Sequence, residues 1–269
     1  MATQEIKTIT DLVAESPDED VRDTWTAMWQ VLTEAKDMVT AELPVEKHPS
    51  SDPYEYYTPG SFEGSLNTYT GEGVDWLVHS WIGNRQASIL DMNLTVWLGQ
   101  QIDVPHLCLV IGTVPLLYHY TDFIARRDLM LDHEYVERYY EPGNTEWLSF
   151  RGDPRFTWSV SHGTYMRAII SPVAHSLMTE RNAENMEIVR GHILARTERW
   201  LELVRNAKPV PESERAALRE RDHRIRRQIY ALDPMNALAA KSMGQDTVDK
   251  MVSLRMGAEL LDNTVLLEA

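Results

Sequence analysis

Between Asp18 and Leu43 apolar side chains recur at three- and four-residue steps (Val21, Trp25, Met28, Trp29, Leu32, Met38), which predicts a helix that Pro44 ends. Glu46 to Phe62 is rich in Pro, Ser, Tyr and Asp without a sustained period, and predicts a loop or an irregular approach to a sheet. From Gly64 to Leu117 the pattern shortens to apolar or alternating runs punctuated by turn residues. Strands are predicted over Ser65–Thr70, Asp75–Ile82, Ala87–Leu98, Leu107–Gly112 and around Leu116–Thr121. Gly71-Glu72-Gly73 and Gly83-Asn84-Arg85 have hairpin-turn chemistry, so the strands read as a meander. A helix follows over Asp132–Tyr140, ended by Pro142 and Gly143, then an extended run over Trp158–Ile170. Helical periodicity returns in Glu184–Arg205, Glu212–Leu232 and Val248–Leu261. Helix, strands, then helices describe an α+β arrangement with helices packed on a sheet. No repeat or composition break divides the chain, so it reads as one domain over residues 1–269, with residues 1–15 a flexible tail.

Composition narrows the function. The chain has 269 residues, 43% hydrophobic and 25% charged, enough for a sizeable core without staples. Its single Cys108 excludes an intramolecular disulfide and any multi-cysteine metal site. With 26 basic and 41 acidic residues, the net charge of −15 repels nucleic acid. Against that average, Arg215, Arg219, Arg221, Arg224, Arg226 and Arg227 crowd into one predicted helix, as a local basic patch or as a solvated face interleaved with Glu214, Glu220 and Asp222. Met1 to Glu15 lacks the order of a signal peptide and no apolar run reaches a membrane span, so the expectation is a cytoplasmic protein without membrane contact. Glycine-rich phosphate loops and a His-Glu-x-x-His motif are absent, and no metal site is predicted.

Specific chemistry enters through the middle of the chain. Ser80-Trp81-Ile82, Leu90-Asp91-Met92-Asn93 and Val104-Pro105 precede the block Asp122-Phe123-Ile124-Ala125-Arg126-Arg127-Asp128-Leu129, followed by His133-Glu134-Tyr135 and Tyr139-Tyr140-Glu141. Tyr165-Met166-Arg167 and Ser171-Pro172-Val173-Ala174 lie further on, and Asp233-Pro234 further still. In order and spacing, Gly64 to Ala174 resembles red chlorophyll catabolite reductase, a relative of the ferredoxin-dependent bilin reductases; the Asp233-Pro234 segment is a shorter match. The resemblance implies a three-layer α/β/α sandwich with a central antiparallel sheet, and a pocket between the sheet and the C-terminal helices. There a linear tetrapyrrole would take electrons one at a time from reduced ferredoxin and protons from acidic or histidine side chains. It also implies no bound metal or flavin, and a homodimer.

Carried over residue by residue, the family's strand acid falls on Val110, which cannot donate a proton. His106, four residues away and so on the same strand face, is the first substitute. The family's second acid falls on Asp233, which also reads as a helix start before Pro234. Asp122 and Arg126 read as an acidic-substrate clamp or as a paired structural turn. Arg167, on the predicted strand, suits a substrate carboxylate, and Trp81 and Trp97 suit a flat conjugated ligand or the core. The function expected is reduction of a linear tetrapyrrole. The alternatives are acid–base catalysis on another conjugated aromatic metabolite without ferredoxin, or pigment binding without chemistry.

Overall fold

Short apolar and alternating runs build the sheet. β1 (Glu46–Lys47), β2 (Glu63–Gly71), β3 (Val74–Asn84), β4 (Ile89–Leu98), β5 (His106–Val114), β6 (Leu116–Ile124), β7 (Thr157–Trp158) and β8 (His175–Thr179) form one antiparallel sheet in the order β1-β2-β3-β4-β5-β6-β8-β7. The computed structural model describes residues 8–14, 19–84, 86–114 and 116–258. The meander expected from the turn residues runs from β2 to β6. One turn differs: β3 extends through Asn84, whose side-chain oxygen accepts from the Gln86 and Ala87 amides, and β4 starts at Ile89 instead of Ala87.

Register fixes the two faces. Trp81, Met92 and Ile111 are cross-strand neighbours on one, as are His79, Leu94 and Leu109. This first face is sealed by α2 (Glu19–Glu42) and α6 (Ala183–Arg205), which pack on each other and on the central strands. Each helix supplies an apolar stripe, Met28, Leu32, Ala35 and Val39 from α2 and Val189, Ile193, Trp200 and Leu201 from α6, so the main core lies here. Inside the stretch expected as a tail, Ile9–Ala14 form α1 and Ile9 is buried against this core.

Under α6 this face carries an unusual polar group. His119 on β6, His175 on β8 and His192 on α6 are buried, with ring centroids 5.3 Å apart for His119–His192 and 4.5 Å for His175–His192. Phe150 and Phe156 close the cluster, and the buried Arg196 lies beside it, 4.5 Å from the Phe123 ring centroid.

The second face looks toward α7 (Glu212–Ala231), α8 (Met235–Met243) and α9 (Gln245–Met256), completing the α/β/α sandwich. α9 stops at Gly257, whose φ of 63° lies in the left-handed region and where a Cβ would sit 3.0 Å from the Trp76 ring. Gly257→Ala is expected to lower stability by about 1–2 kcal/mol from backbone strain. A thermal melt equal to wild type would contradict this.

Two expectations are corrected in the segment between β6 and β8. Pro142 does not end a helix. It occupies the first turn of α4 (Glu141–Gly152), where its missing N–H costs nothing, directly after α3 (His133–Tyr139). Trp158–Ile170 is not an extended run: β7 holds two residues, and Thr164–Ile169 form helix α5 after Gly163. β8 and α8 were not predicted. The expected helix over Val248–Leu261 is α9 as far as Met256, and its last residues lie outside the described ones.

Candidate functional site

The two faces of the sheet differ in how completely they are covered. On the first, Met92, Leu94, Leu109 and Ile111 have no exposed surface. On the second, Ile82, Asp91, Val110, Tyr118, Tyr120 and Ser176 are only half-buried although they sit in the middle of the sheet. The helices of the second layer therefore leave an open strip running across β3, β4, β5, β6 and β8.

Carboxyl groups face this strip from opposite sides. Asp91 projects from β4, and the charges of Asp233 and Arg255 act on it. Arg255, on α9, reaches the sheet, its Nη2 donating to Ser80 Oγ at 3.1 Å. Asp233 lies half-buried where α7 gives way to α8, and its Oδ1 accepts from the Met235 amide at 2.9 Å. Asp233 is thus the helix start that its position before Pro234 suggests, and it also faces the strip. Burial raises its pKa, with the Met235 amide and Arg255 acting in the opposite sense. Asp122, on β6, is buried; its Oδ2 accepts from Tyr120 Oη at 2.6 Å and from the Ser171 amide, and burial raises its pKa as well. Cys108, between these groups, keeps its proton, since burial pushes the thiol up to about 12.

A second set of charges fastens α7 to the sheet. Arg126, at the end of β6, donates from Nη2 to Asp222 Oδ2 at 2.6 Å and from Nε to the same carboxylate, and also binds the Gly99 carbonyl. His106 accepts from the Leu98 amide through Nδ1 at 2.9 Å and places Nε2 3.2 Å from Asp222 Oδ1. Burial, reinforced by Arg126 and Arg226, lowers its pKa to about 4 against the pull of Asp222, so it is neutral near pH 7. Arg226 donates to Asp75 at 2.8 Å, and His223 reaches the same carboxylate. Burial opposes the charge on Asp75, but His223 and Arg226 hold its pKa well below the usual range. The Trp97 ring packs between His106 and Tyr230.

These positions sort the residues expected from the sequence. Asp233 faces the open strip, whereas Asp122 lies on the same sheet face but is buried, its Oδ2 held by Tyr120 and the Ser171 amide. His106 does share the face of Val110, but its ring is engaged in the α7 fastening. Arg126 is consumed by Asp222 and three backbone carbonyls, the structural-turn reading and not a substrate clamp. Trp81 points to the first face, where it belongs to the α2 core, so it cannot line the strip. Trp97 lies on the correct face but is buried under α7. Arg167 is exposed on α5 and donates to the Ser161 and His162 carbonyls. That turn packs at Gly163 on the ring of Pro234, but the Arg167 guanidinium is spent on its own turn. Asp91 was missed as a site residue, although Leu90-Asp91-Met92-Asn93-Leu94-Thr95-Val96 alternates so regularly that a carboxylate on a polar strand face could be read from it.

Beside the strip, a cleft of about 620 Å³ opens between α5 and α7. Ile124 and Ile170 form part of its wall, two residues from Asp122 and one from Ser171, and Arg127, Arg221 and Arg224 line it. Among the described residues no group of three or more His, Cys, Asp or Glu is placed to hold a metal ion, and no helix is long and apolar enough to cross a membrane.

The fold is that of the bilin reductases. Phytochromobilin synthase from tomato, solved in complex with biliverdin, superposes with a TM-score of 0.74 at 16% identity, covering 87% of this chain and 84% of that one. The sequence profile of the red chlorophyll catabolite reductase (RCC reductase) family matches residues 26–255, and the chain belongs to that family. A search of curated proteins returned no match.

Proposed function

We propose that the protein is an oxidoreductase that lays a linear tetrapyrrole along the open strip and reduces it with electrons from reduced ferredoxin, one at a time. The observation that carries this reading is Asp233: in a chain of the RCC reductase family, a carboxyl whose pKa burial raises faces the strip between the sheet and the C-terminal helices. Each electron added to a conjugated pigment makes it more basic, so a nearby acid must still hold its proton near neutral pH. Burial favours that form. Electrons would pass directly from the donor protein to the pigment, with no resident metal or flavin.

The exposed cations of α7, Arg219, Arg221 and Arg224, would offer an acidic ferredoxin a docking site despite the negative net charge. The neighbouring Met130 and Leu131 are 94% and 85% exposed and would add apolar contact. We place the protein in the cytoplasm as a homodimer, an assembly that sedimentation checks.

Mixing the protein anaerobically with biliverdin or red chlorophyll catabolite is expected to change the pigment's visible spectrum on binding, and reduced ferredoxin is expected to bleach it. Neither binding nor bleaching of either pigment would sink the proposal. Asp233→Asn should keep pigment binding while turnover falls by about 100-fold or more, the usual scale for a lost general acid. Wild-type turnover in that variant would remove Asp233 from the reaction.

A further inference from the structure

We infer that Asp91 is a second proton-donating carboxyl of the strip, acting on the same bound tetrapyrrole as Asp233 but from the sheet side. The inference rests on the reductase reading above. Asp91 stands in mid-sheet, with Ile82 on β3 and Gly112 on β5 as its lateral neighbours. Gly112 has no side chain, and a Cβ there would meet the Leu90 carbonyl oxygen at 2.7 Å, so no side chain of β5 can stand directly beside the Asp91 carboxyl. Val110, diagonally adjacent on β5, faces the same opening and has no proton to give.

Its lack of partners separates Asp91 from the other carboxylates of this face. Asp75 is held by Arg226, Asp122 by Tyr120, and Asp222 by Arg126. Among the described residues no side chain hydrogen-bonds to Asp91. A half-buried carboxyl without a structural bond, turned toward an opening, is costly as an anion and ready as an acid. The groups acting on it are Arg255 from α9, Asp233 from the α7–α8 junction, Tyr118 from β6, Cys108 from β5 and the Tyr57 hydroxyl. Burial raises its pKa and the charge of Asp233 adds to that, while Arg255 opposes both. Arg255 can balance one negative charge, so the second carboxyl of the pair is favoured in its protonated form.

Two acids match the stoichiometry of the step. Saturating one double bond of the pigment breaks its π bond and forms two new bonds to hydrogen. That takes two electrons and two protons. Two reduced ferredoxins each lose one electron. Asp233 and Asp91 each give one proton, and both carboxylates then regain a proton from solvent.

The test uses the full chain, with biliverdin and red chlorophyll catabolite as pigments and reduced ferredoxin as donor. Asp91→Asn is expected to keep its circular dichroism and pigment binding but to lose turnover by about 100-fold, and Asp91→Glu to restore it to within tenfold of wild type. Near neutral pH, the infrared absorption of protonated carboxyls should be weaker in Asp91→Asn than in the wild type by one group's share, what remains coming from the other buried carboxyls of the sheet face. Turnover of Asp91→Asn at the wild-type rate overturns the inference while leaving the reductase reading intact. If Asp91→Asn does not fold, Asp91→Glu decides. Turnover that needs the protonated acid falls as pH rises through its pKa; a fall displaced by the longer side chain supports the inference, and an unmoved one overturns it. A wild type that turns over neither pigment removes the reductase reading and this inference together.

Discussion

Asp222→Ala is expected to be among the most destabilising single substitutions in the protein, costing about 3–5 kcal/mol. Asp222 is buried, and its two oxygens meet the guanidinium of Arg126 and Nε2 of His106. Alanine would leave the fully buried Arg126 with backbone carbonyls as partners but no counter-charge, and would remove the carboxylate that lies 3.2 Å from His106 Nε2. The cost comes from a stranded charge, so it exceeds what the pair itself contributes. At this chain length the loss corresponds to a fall in melting temperature of roughly 10 °C. Because Asp222 sits on α7 while Arg126 and His106 sit on the sheet, the damage should be local first, with amide exchange rising along α7 before the α2–α6 core opens. Removing both ends together, as Arg126→Met with Asp222→Leu, is expected to cost less than Asp222→Ala alone. A single-variant loss below about 1 kcal/mol would show that the fastening of α7 lies elsewhere.

That fastening also shows where reading the sequence stopped. The strands were legible because a period of two is written directly into runs such as Leu90 to Val96. Helices such as α6 were legible from their three- and four-residue apolar steps. Phase was not. Both sheet faces are covered by helices, so Trp81 and Trp97 look equivalent in sequence, yet one enters the α2 core and the other lies beneath α7. His106 does share the face of Val110, as their even spacing requires. Four residues of strand nevertheless amount to about 13 Å, which carries it from the middle of the strip to the α7 fastening. Arg126 belongs to the most specific motif in the chain, but its partner lies 96 residues away on another element, and no local pattern announces that pairing. The boundary errors have a simpler cause: a proline can follow the end of one helix or open the next, and only the residues packed after it decide which; Pro142 opens α4.

Mild acid is expected to unfold the protein more steeply than its carboxylates alone would allow. Burial lowers the pKa of His119 to about 3 and that of His175 to about 2, with Arg196 adding to both shifts, and burial together with its two histidine neighbours lowers His192 well below the usual value. His79, buried against Trp29, is lowered to about 3 by burial and by Lys36. A histidine in the unfolded chain titrates near pH 6.5, so unfolding takes up protons that the folded protein refuses. Stability from these groups is therefore complete above about pH 6.5 and falls as the pH drops toward the folded-state values. Each such histidine contributes a slope of at most about 1.4 kcal/mol per pH unit, and together they contribute several. The cluster has little to absorb the charge. Arg196 and Arg199 are already cationic beside it, and Glu146, 3.8 Å from His192 Nε2, also serves both arginines. The raised carboxyls of Asp91, Asp122 and Asp233 work in the opposite sense, gaining stability as they protonate, but they are fewer and shield only part of the loss. Urea midpoints measured from pH 7.5 to 4.5 should fall steeply below about pH 6.5. His175→Phe, which keeps an aromatic ring against Phe150 and Trp158, should flatten that fall by one histidine's share. A wild-type midpoint that stays level down to pH 5 would mean that the buried imidazoles accept protons in the folded state, and that water or another anion reaches a cluster closed here by aromatic rings.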